Sequence, residues 1–414
     1  MGLYKFRPEP SGSMGVLWTT ATIKNAAILE FGAMGHMMDA RIGLEKAGLT
    51  RTAGLYSTHI DDIDVTMGSV ERVTKAIDII VRKDKAQSVF ILPSAVPEII
   101  GTDFDALIAE LAPSFPGVEI IHFGFSGLTT DFNRGVQESL SALVKRLAKD
   151  IATTKEPTFN LIGSCADFVR FQGDADELIR IMHGAFGMKP SCVLSSGASV
   201  EDIGKIGSAA INLVLRKEGQ PAAGYLKNRF GTPSLKGRPY GIKGTMDWIN
   251  HIAEITGIKP DKAFLDGEIQ EAERHYDTFE KLHRRTKFYG HTALRLSASG
   301  HSDVVRGLAD FAGELGLECN RFWCNDPDGG NTEIPYLKES EWEKILPDLD
   351  GDMLMSSGDI LALSGREQRM LLAHPHRLWS ICIYDAPFMG FRGVPGLINL
   401  WVYEIQKRSM REIL

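Results

Sequence analysis

The chain has 414 residues, too many for one ordinary core, so two or three domains are expected. Its 43% hydrophobic and 24% charged content is that of a globular protein, and a formal charge of −7 argues against a nucleic-acid binder, which would carry a basic face. No apolar run reaches the roughly 18 residues that span a bilayer, residues 1–10 hold no apolar signal core, and the five cysteines are irregularly spaced, so a cytoplasmic protein without membrane or nucleic-acid partners is expected.

In chain order, residues 26–31, 89–92 and 118–123 read as apolar strands. Helical patterns separate them at 70–81 and 103–111, where Phe104, Leu107, Ile108 and Leu111 recur at helical spacing, and a helix over 136–151 follows. Lys155, Glu156 and Pro157 suggest a boundary. The rhythm then restarts: strands at 159–163, 192–194 and 211–215 alternate with helices at 174–186, from Val200, and at 222–229. A charged helix over 262–283 leads to a third unit, with a strand at 292–296, a helix at 303–315 and further strands at 352–355, 359–363 and 379–383. A turn over 383–393 precedes a helix at 396–407. Repeated strand–helix alternation predicts parallel sheets. The expected fold is α/β, three Rossmann-like domains at 1–155, 156–284 and 285–414, each a parallel sheet flanked by helices.

The usual nucleotide signatures are missing. There is no G-x-x-x-x-G-K-[ST] and no G-x-G-x-x-G at a strand–helix junction, so neither ATP nor NAD is expected on this chain. No H-E-x-x-H or G-x-S-x-G supports a hydrolase. Cys319 and Cys324 lack a second ligand pair and read as ordinary thiols, and Cys165, Cys192 and Cys382 read as small buried apolar residues. Glycines at strand ends permit tight turns or close approach of a ligand. In the turn before the last helix, Arg392 reads either as a holder of an anionic group or as a salt bridge.

Several segments, in order, resemble the nitrogenase component 1 family. G-A-M-G-H at 32–36 looks like the family's H-G-P-x-G-C turn, and S-T-H-I-D-D-I-D-V-T-M-G at 57–68 is similar to S-T-x-x-x-E-x-D-V-V-F-G. S-A-V-P-E-I-I-G-T-D at 94–103 looks like T-C-x-x-E-L-I-G-D-D. Residues 212–214 with 225–233 and P-Y-G-I-K-G-T at 239–245 resemble the family's middle domain, the latter most like the β-type subunits, and the segment 387–393 resembles the closing motif. The departures are specific. The family's cluster cysteines fall on His36 and Ala95, and the first 164 residues contain no cysteine at all. The positions that hold the active-site cofactor in α-type subunits fall on Arg216 and Met389.

The resemblance implies a subunit of a nitrogenase-like oxidoreductase that works with two partners. One is an ATP-dependent iron protein that supplies electrons. The other is a cysteine-bearing component 1-like subunit, in a heterodimer or an α2β2 heterotetramer. A 4Fe–4S or related iron–sulfur cluster would be shared across their interface. His36 would be this chain's one ligand, as the B-type subunit of protochlorophyllide reductase gives an aspartate from the same turn, and histidine ligation of clusters is known. Gly35, Ser94, Ala95 and Glu98 would shape the cluster pocket, with His59 and Asp61 around it. Tyr384, Met389 and Arg392 would line a central cavity. The substrate would be a tetrapyrrole or another small unsaturated or thioether compound. Two alternatives stay open: a non-redox scaffold for a tetrapyrrole or metallocluster precursor, and a homodimeric binding protein that has lost iron chemistry.

Overall fold

The computed structural model describes residues 10–32, 53–60, 70–92, 101–123, 130–151, 157–288, 295–349, 352–364, 369–373 and 386–413, with isolated positions at 38, 41, 42, 44, 45, 49, 97 and 99. Twelve strands among them form three four-stranded sheets. The first contains β1 (Ala26–Glu30), β2 (Gly54–Ser57), β3 (Ser88–Leu92) and β4 (Glu119–His122). The second contains β5 (Thr158–Ile162), β6 (Lys189–Leu194), β7 (Ile211–Val214) and β8 (Ser234–Lys236). The third contains β9 (Arg295–Gly300), β10 (Glu318–Cys324), β11 (Asp352–Ser357) and β12 (Arg369–Ala373).

The strand order is the same three times: β2-β1-β3-β4, β6-β5-β7-β8 and β10-β9-β11-β12, with all pairings parallel. Parallel strands need helical crossovers, so central strands are covered on both faces and read as unbroken apolar runs. A-A-I-L of β1 and V-F-I-L of β3 are such runs and are fully buried. In each sheet the order reverses between the first and third strands. Doubly wound sheets bind ligands outside the carboxyl ends of the strands at that point.

The fold agrees with the α/β architecture that the sequence predicts and departs from it locally. Residues 359–363, expected as a strand, lie instead in a short helix, Gly358–Leu363, that starts after the extended Ser357. The strand expected at 292–296 is Arg295–Gly300, and 292–294 lie outside the described residues, as does the strand expected at 379–383. The helix expected from 136 starts at Phe132, where the Asp131 carboxylate accepts the Arg134 amide. The last helix runs Gly390–Ile413, so Arg392 and Gly393 lie in its first turn rather than in a loop before it.

Helices Gly12–Thr20 and Phe132–Leu147 cross at glycine. A Cβ on Gly135 would come within 2.1 Å of the Gly12 carbonyl oxygen, so this contact requires a missing side chain. Helix Lys262–Phe288 packs on the last helix through Phe279 and Trp401, whose ring centroids are 6.4 Å apart.

Candidate functional site

β1 and β3 are adjacent parallel strands, and their last residues, Glu30 and Leu92, are register partners. The segments that carry Gly35 and His36, and Ser94, Ala95 and Glu98, therefore leave neighbouring strands at the switch point of the first sheet. Gly35, His36, Ser94, Ala95, Glu98, Asp61 and Tyr384 themselves lie outside the described residues. The frame beside the first turn is described. The Thr58 amide donates to the Glu30 carbonyl (2.9 Å), the Gly32 amide to Thr58 Oγ1 (3.2 Å) and the Ile60 amide to the Gly32 carbonyl (3.0 Å). These bonds carry the β1–β2 pairing past the strand ends and hold Gly32 in place. His59, between them, is exposed with φ of 52°. Met38 and Ile99, which follow the two turns, are large exposed apolar residues, Ile99 at 73%.

Glu30 is buried at the end of β1, and desolvation pushes its carboxyl up to about 7. Its folded value lies above the ordinary value of about 4.3, so the fold favours the protonated form. That contribution is complete below about pH 4 and is lost as pH rises through 7. Glu30→Gln is therefore expected to stabilise the protein at pH 8 by about 2 kcal/mol and to do little at pH 4.5. Thermal melts at the two pH values check this, and an equal effect at both would sink it.

The most developed polar site lies where the three sheets meet. Arg216 lies two residues beyond the end of β7 and is 0% exposed. Its Nη1 donates to both Asp167 carboxylate oxygens (3.0 and 2.9 Å), Nε donates to Glu218 Oε2 (2.8 Å), and Nη2 donates to Asn133 Oδ1 (3.3 Å). Asp167 follows β5, and Asn133 belongs to helix Phe132–Leu147 behind the first sheet. His301, at the end of β9, brings Nε2 within 3.0 Å of Glu218 Oε2. The Asp303 amide donates to its Nδ1 (3.2 Å), which leaves Nε2 to donate to Glu218. Asp303 in turn accepts the Lys217 amide (2.8 Å) and pairs with Lys236 Nζ (2.9 Å), while Lys217 Nζ reaches Asp326 (2.9 Å).

Charge decides the ionisation here. Burial alone would raise the Glu218 carboxyl, but His301 and Arg216 outweigh it and hold it well below the usual carboxylate range. Burial would likewise lower Arg216, and Asp167 and Glu218 keep it fully charged. Phe168 lies under two guanidiniums, with Arg216 Cζ at 5.0 Å and Arg238 Cζ at 4.9 Å from its ring centroid. Burial pushes the neighbouring Cys165 thiol up to about 11, so it is an inert packing group, as the sequence suggests.

Met389 and Arg392 sit at the start of the last helix. Its first amides are satisfied from the second sheet's layer. Asp174 Oδ1 accepts from the Phe388 and Met389 amides (2.7 and 3.1 Å), and Glu177 Oε1 accepts from the Arg392 amide (3.0 Å). Asp174 and Glu177 are three residues apart on helix Phe171–Phe186, so one face supplies both caps. Gly390 has φ of 73°, and a Cβ there would come within 2.6 Å of Glu177 Cγ. The glycine lets the helix start against that carboxylate. Met389 is 1% exposed, whereas the Arg392 side chain is 64% exposed, with Nε 3.9 Å from Glu177 Oε2.

Arg216 and Met389 stand out in the sequence, whereas Asp167, Asp174, Glu177, Glu218, Arg238 and His301 do not. One signal was available: the charged triplet Arg216-Lys217-Glu218 comes just after a buried, mostly apolar strand, at the edge where ligand groups collect. Among the described residues no group of three or more His, Cys, Asp or Glu is placed to hold a metal ion, and no helix is long and apolar enough to cross a membrane.

Comparison with known proteins agrees with this architecture. The sequence matches the family described as Nitrogenase component 1 type Oxidoreductase over residues 11–354. It is 27% identical over 299 residues to the B-type subunit of light-independent protochlorophyllide reductase from Chlorobium phaeobacteroides (strain BS1), covering 64% of this chain and 55% of that protein. The match thus spans about half the length of that relative. The N-type subunit of the same enzyme from Rhodopseudomonas palustris (strain BisB18) is 26% identical over 423 residues, covering 96% of this chain and 92% of that one. The nitrogenase iron-iron protein beta chain of Rhodobacter capsulatus is 24% identical over 425 residues, covering 93% and 85%. Among solved structures, nitrogenase Cp1 at pH 6.5 has the same fold, with a TM-score of 0.82 at 16% identity over 100% of this chain and 95% of that one. With its three like-ordered parallel sheets and a match over most of its length, the chain belongs to the nitrogenase component 1 type oxidoreductase family.

Proposed function

We propose that this chain is the cluster-poor, β-like half of a two-component nitrogenase-like reductase, with its three units bounded near residues 155 and 284. The carrying observation is a contrast. The strand frame of the first switch point is kept, with β1 and β3 in register to their ends, yet no thiolate exists in the first 164 residues. In this reading the donor this chain offers there is the imidazole of His36. That donor fits an iron–sulfur cluster only if the other ligands come from a partner. When bound, such a cluster supplies one-electron relay.

In this reading His36 ligates from the turn after β1, and Gly35, Ser94, Ala95 and Glu98 shape the surrounding pocket. The partner is a cysteine-bearing component 1-like subunit, in a heterodimer or an α2β2 assembly. Electrons come from an ATP-dependent iron protein, consistent with the missing P-loop here. The substrate is a tetrapyrrole or another small unsaturated or thioether compound. The relatives support the class: two are subunits of a light-independent protochlorophyllide reductase and one is a nitrogenase beta chain.

Co-expression with such a cysteine-bearing subunit, followed by anoxic purification, tests the proposal. The complex is expected to contain iron and to absorb in the visible. His36→Ala should lower cluster content or alter its redox and spin signature, and His36→Cys should restore content. A complex without iron, or a His36→Ala complex with unchanged content and spectrum, refutes the role given to His36.

A further inference from the structure

We infer that the junction of the three sheets is closed by an internal ionic lock, with Arg216 occupying the place where the family resemblance puts a cofactor ligand. The location is the switch point of the second sheet: Asp167 follows β5, Arg216 follows β7, and these strands are neighbours. That is where a doubly wound sheet presents groups to a ligand. Here the group presented is a guanidinium, which has no lone pair to give a metal. Its hydrogen-bonding groups are already directed at Asp167, Glu218 and Asn133.

The chain around Arg216 is shaped to hold it. Gly163, at the end of β5, has φ of 92°, and a Cβ there would come within 2.7 Å of Arg216 Cγ. Any other residue would push the arginine stem aside. At the second ligand position the side chain is Met389, which is buried within the apolar core cluster rather than presented to a ligand. Asn133, Arg216 and His301 lie beyond different sheets, so the lock joins all three. The residues here do not fit a bound cofactor, and reaction chemistry in any complex belongs outside this junction. This holds whether or not a cluster is shared with a partner.

Three purified forms of the full chain test the lock by thermal melting: wild type, Arg216→Ala, and the triple variant Asp167→Asn, Arg216→Met, Glu218→Gln. Arg216→Ala leaves two buried carboxylates facing a hole, and its midpoint is expected to fall by about 10 °C. Methylguanidinium chloride at about 10 mM should recover much of that loss in Arg216→Ala while leaving wild type unmoved, and methylammonium should recover little, since it lacks the planar fork. The triple variant removes the charges together and should melt near wild type. Equal melting of wild type and Arg216→Ala, no recovery by methylguanidinium, or a triple variant as unstable as Arg216→Ala each overturns the inference. If Arg216→Ala is insoluble, the triple variant decides: soluble supports the lock, insoluble refutes it.

Discussion

Asp174→Ala is expected to destabilise the protein by about 3–5 kcal/mol, because it breaks a buried ion pair and uncaps a helix in one step. Arg238 Nη2 lies 3.2 Å from Asp174 Oδ2, and both side chains are about 5% exposed. Without the carboxylate, Arg238 keeps its bond to the Tyr240 hydroxyl and its place over Phe168, but its buried charge loses the ion pair. The Phe388 and Met389 amides lose their acceptor at the same time. Asp174→Asn keeps an acceptor for those amides and should cost less, about 1–2 kcal/mol. Urea denaturation of the two variants checks the difference. A cost below about 1 kcal/mol for the alanine variant would show that the last helix is held mainly by its apolar face.

Glu218→Ala should have a comparable effect, about 3–5 kcal/mol, and should also change the acid response. Glu218 is the shared acceptor for Arg216 Nε and His301 Nε2, so its loss takes the acceptor from both nitrogens at once, although Arg216 keeps Asp167 and Asn133. Its folded value is depressed below the unfolded value of about 4.3. The stability it contributes is therefore complete above about pH 4.3 and is lost as pH falls through the depressed value. Wild type should lose melting temperature steeply below pH 4, and Glu218→Gln should show a shallower slope there. Parallel slopes would mean that other carboxylates govern acid unfolding.

The central strands were legible because burial on both faces leaves long apolar runs, unbroken through A-A-I-L of β1 and V-F-I-L of β3 and interrupted only by a buried asparagine in β5 and β7. Of the edge strands, β4 and β6 were read as well, whereas β2, β8, β10 and β12 were not. G-L-Y-S of β2 is half-buried throughout, S-L-K of β8 has exposed ends, and the first four residues of β10 are exposed. Edge strands face water on one side and carry polar residues that blunt further pairing, so their composition resembles a loop. The short helix Gly358–Leu363 was misread because six residues give too few turns for periodicity to show.

The site divided in the same way. Motif resemblance located the turns after β1 and β3 and pointed to Arg216 as a replaced ligand. It could not supply Arg216's partners. Asn133, Asp167 and Glu218 lie 83, 49 and 2 residues away, and His301 lies 83 residues beyond Glu218. Nothing in local periodicity relates such positions. Only the convergence of three sheet edges makes them neighbours.

The carboxylate caps of the last helix also bear on when the native state can be reached. The bonds from Phe388, Met389 and Arg392 to helix Phe171–Phe186 bridge 214 and 215 residues of sequence. Contacts of such separation are slow to form, since a long loop must close before they repay its entropy. During synthesis the first sheet can assemble from nearby segments, and Asp174 and Glu177 can already pair with Arg238 and Arg180, but their bonds to helix Gly390–Ile413 form only once that helix has emerged. A surface that includes the start of helix Gly390–Ile413 is therefore complete only after this long loop has closed.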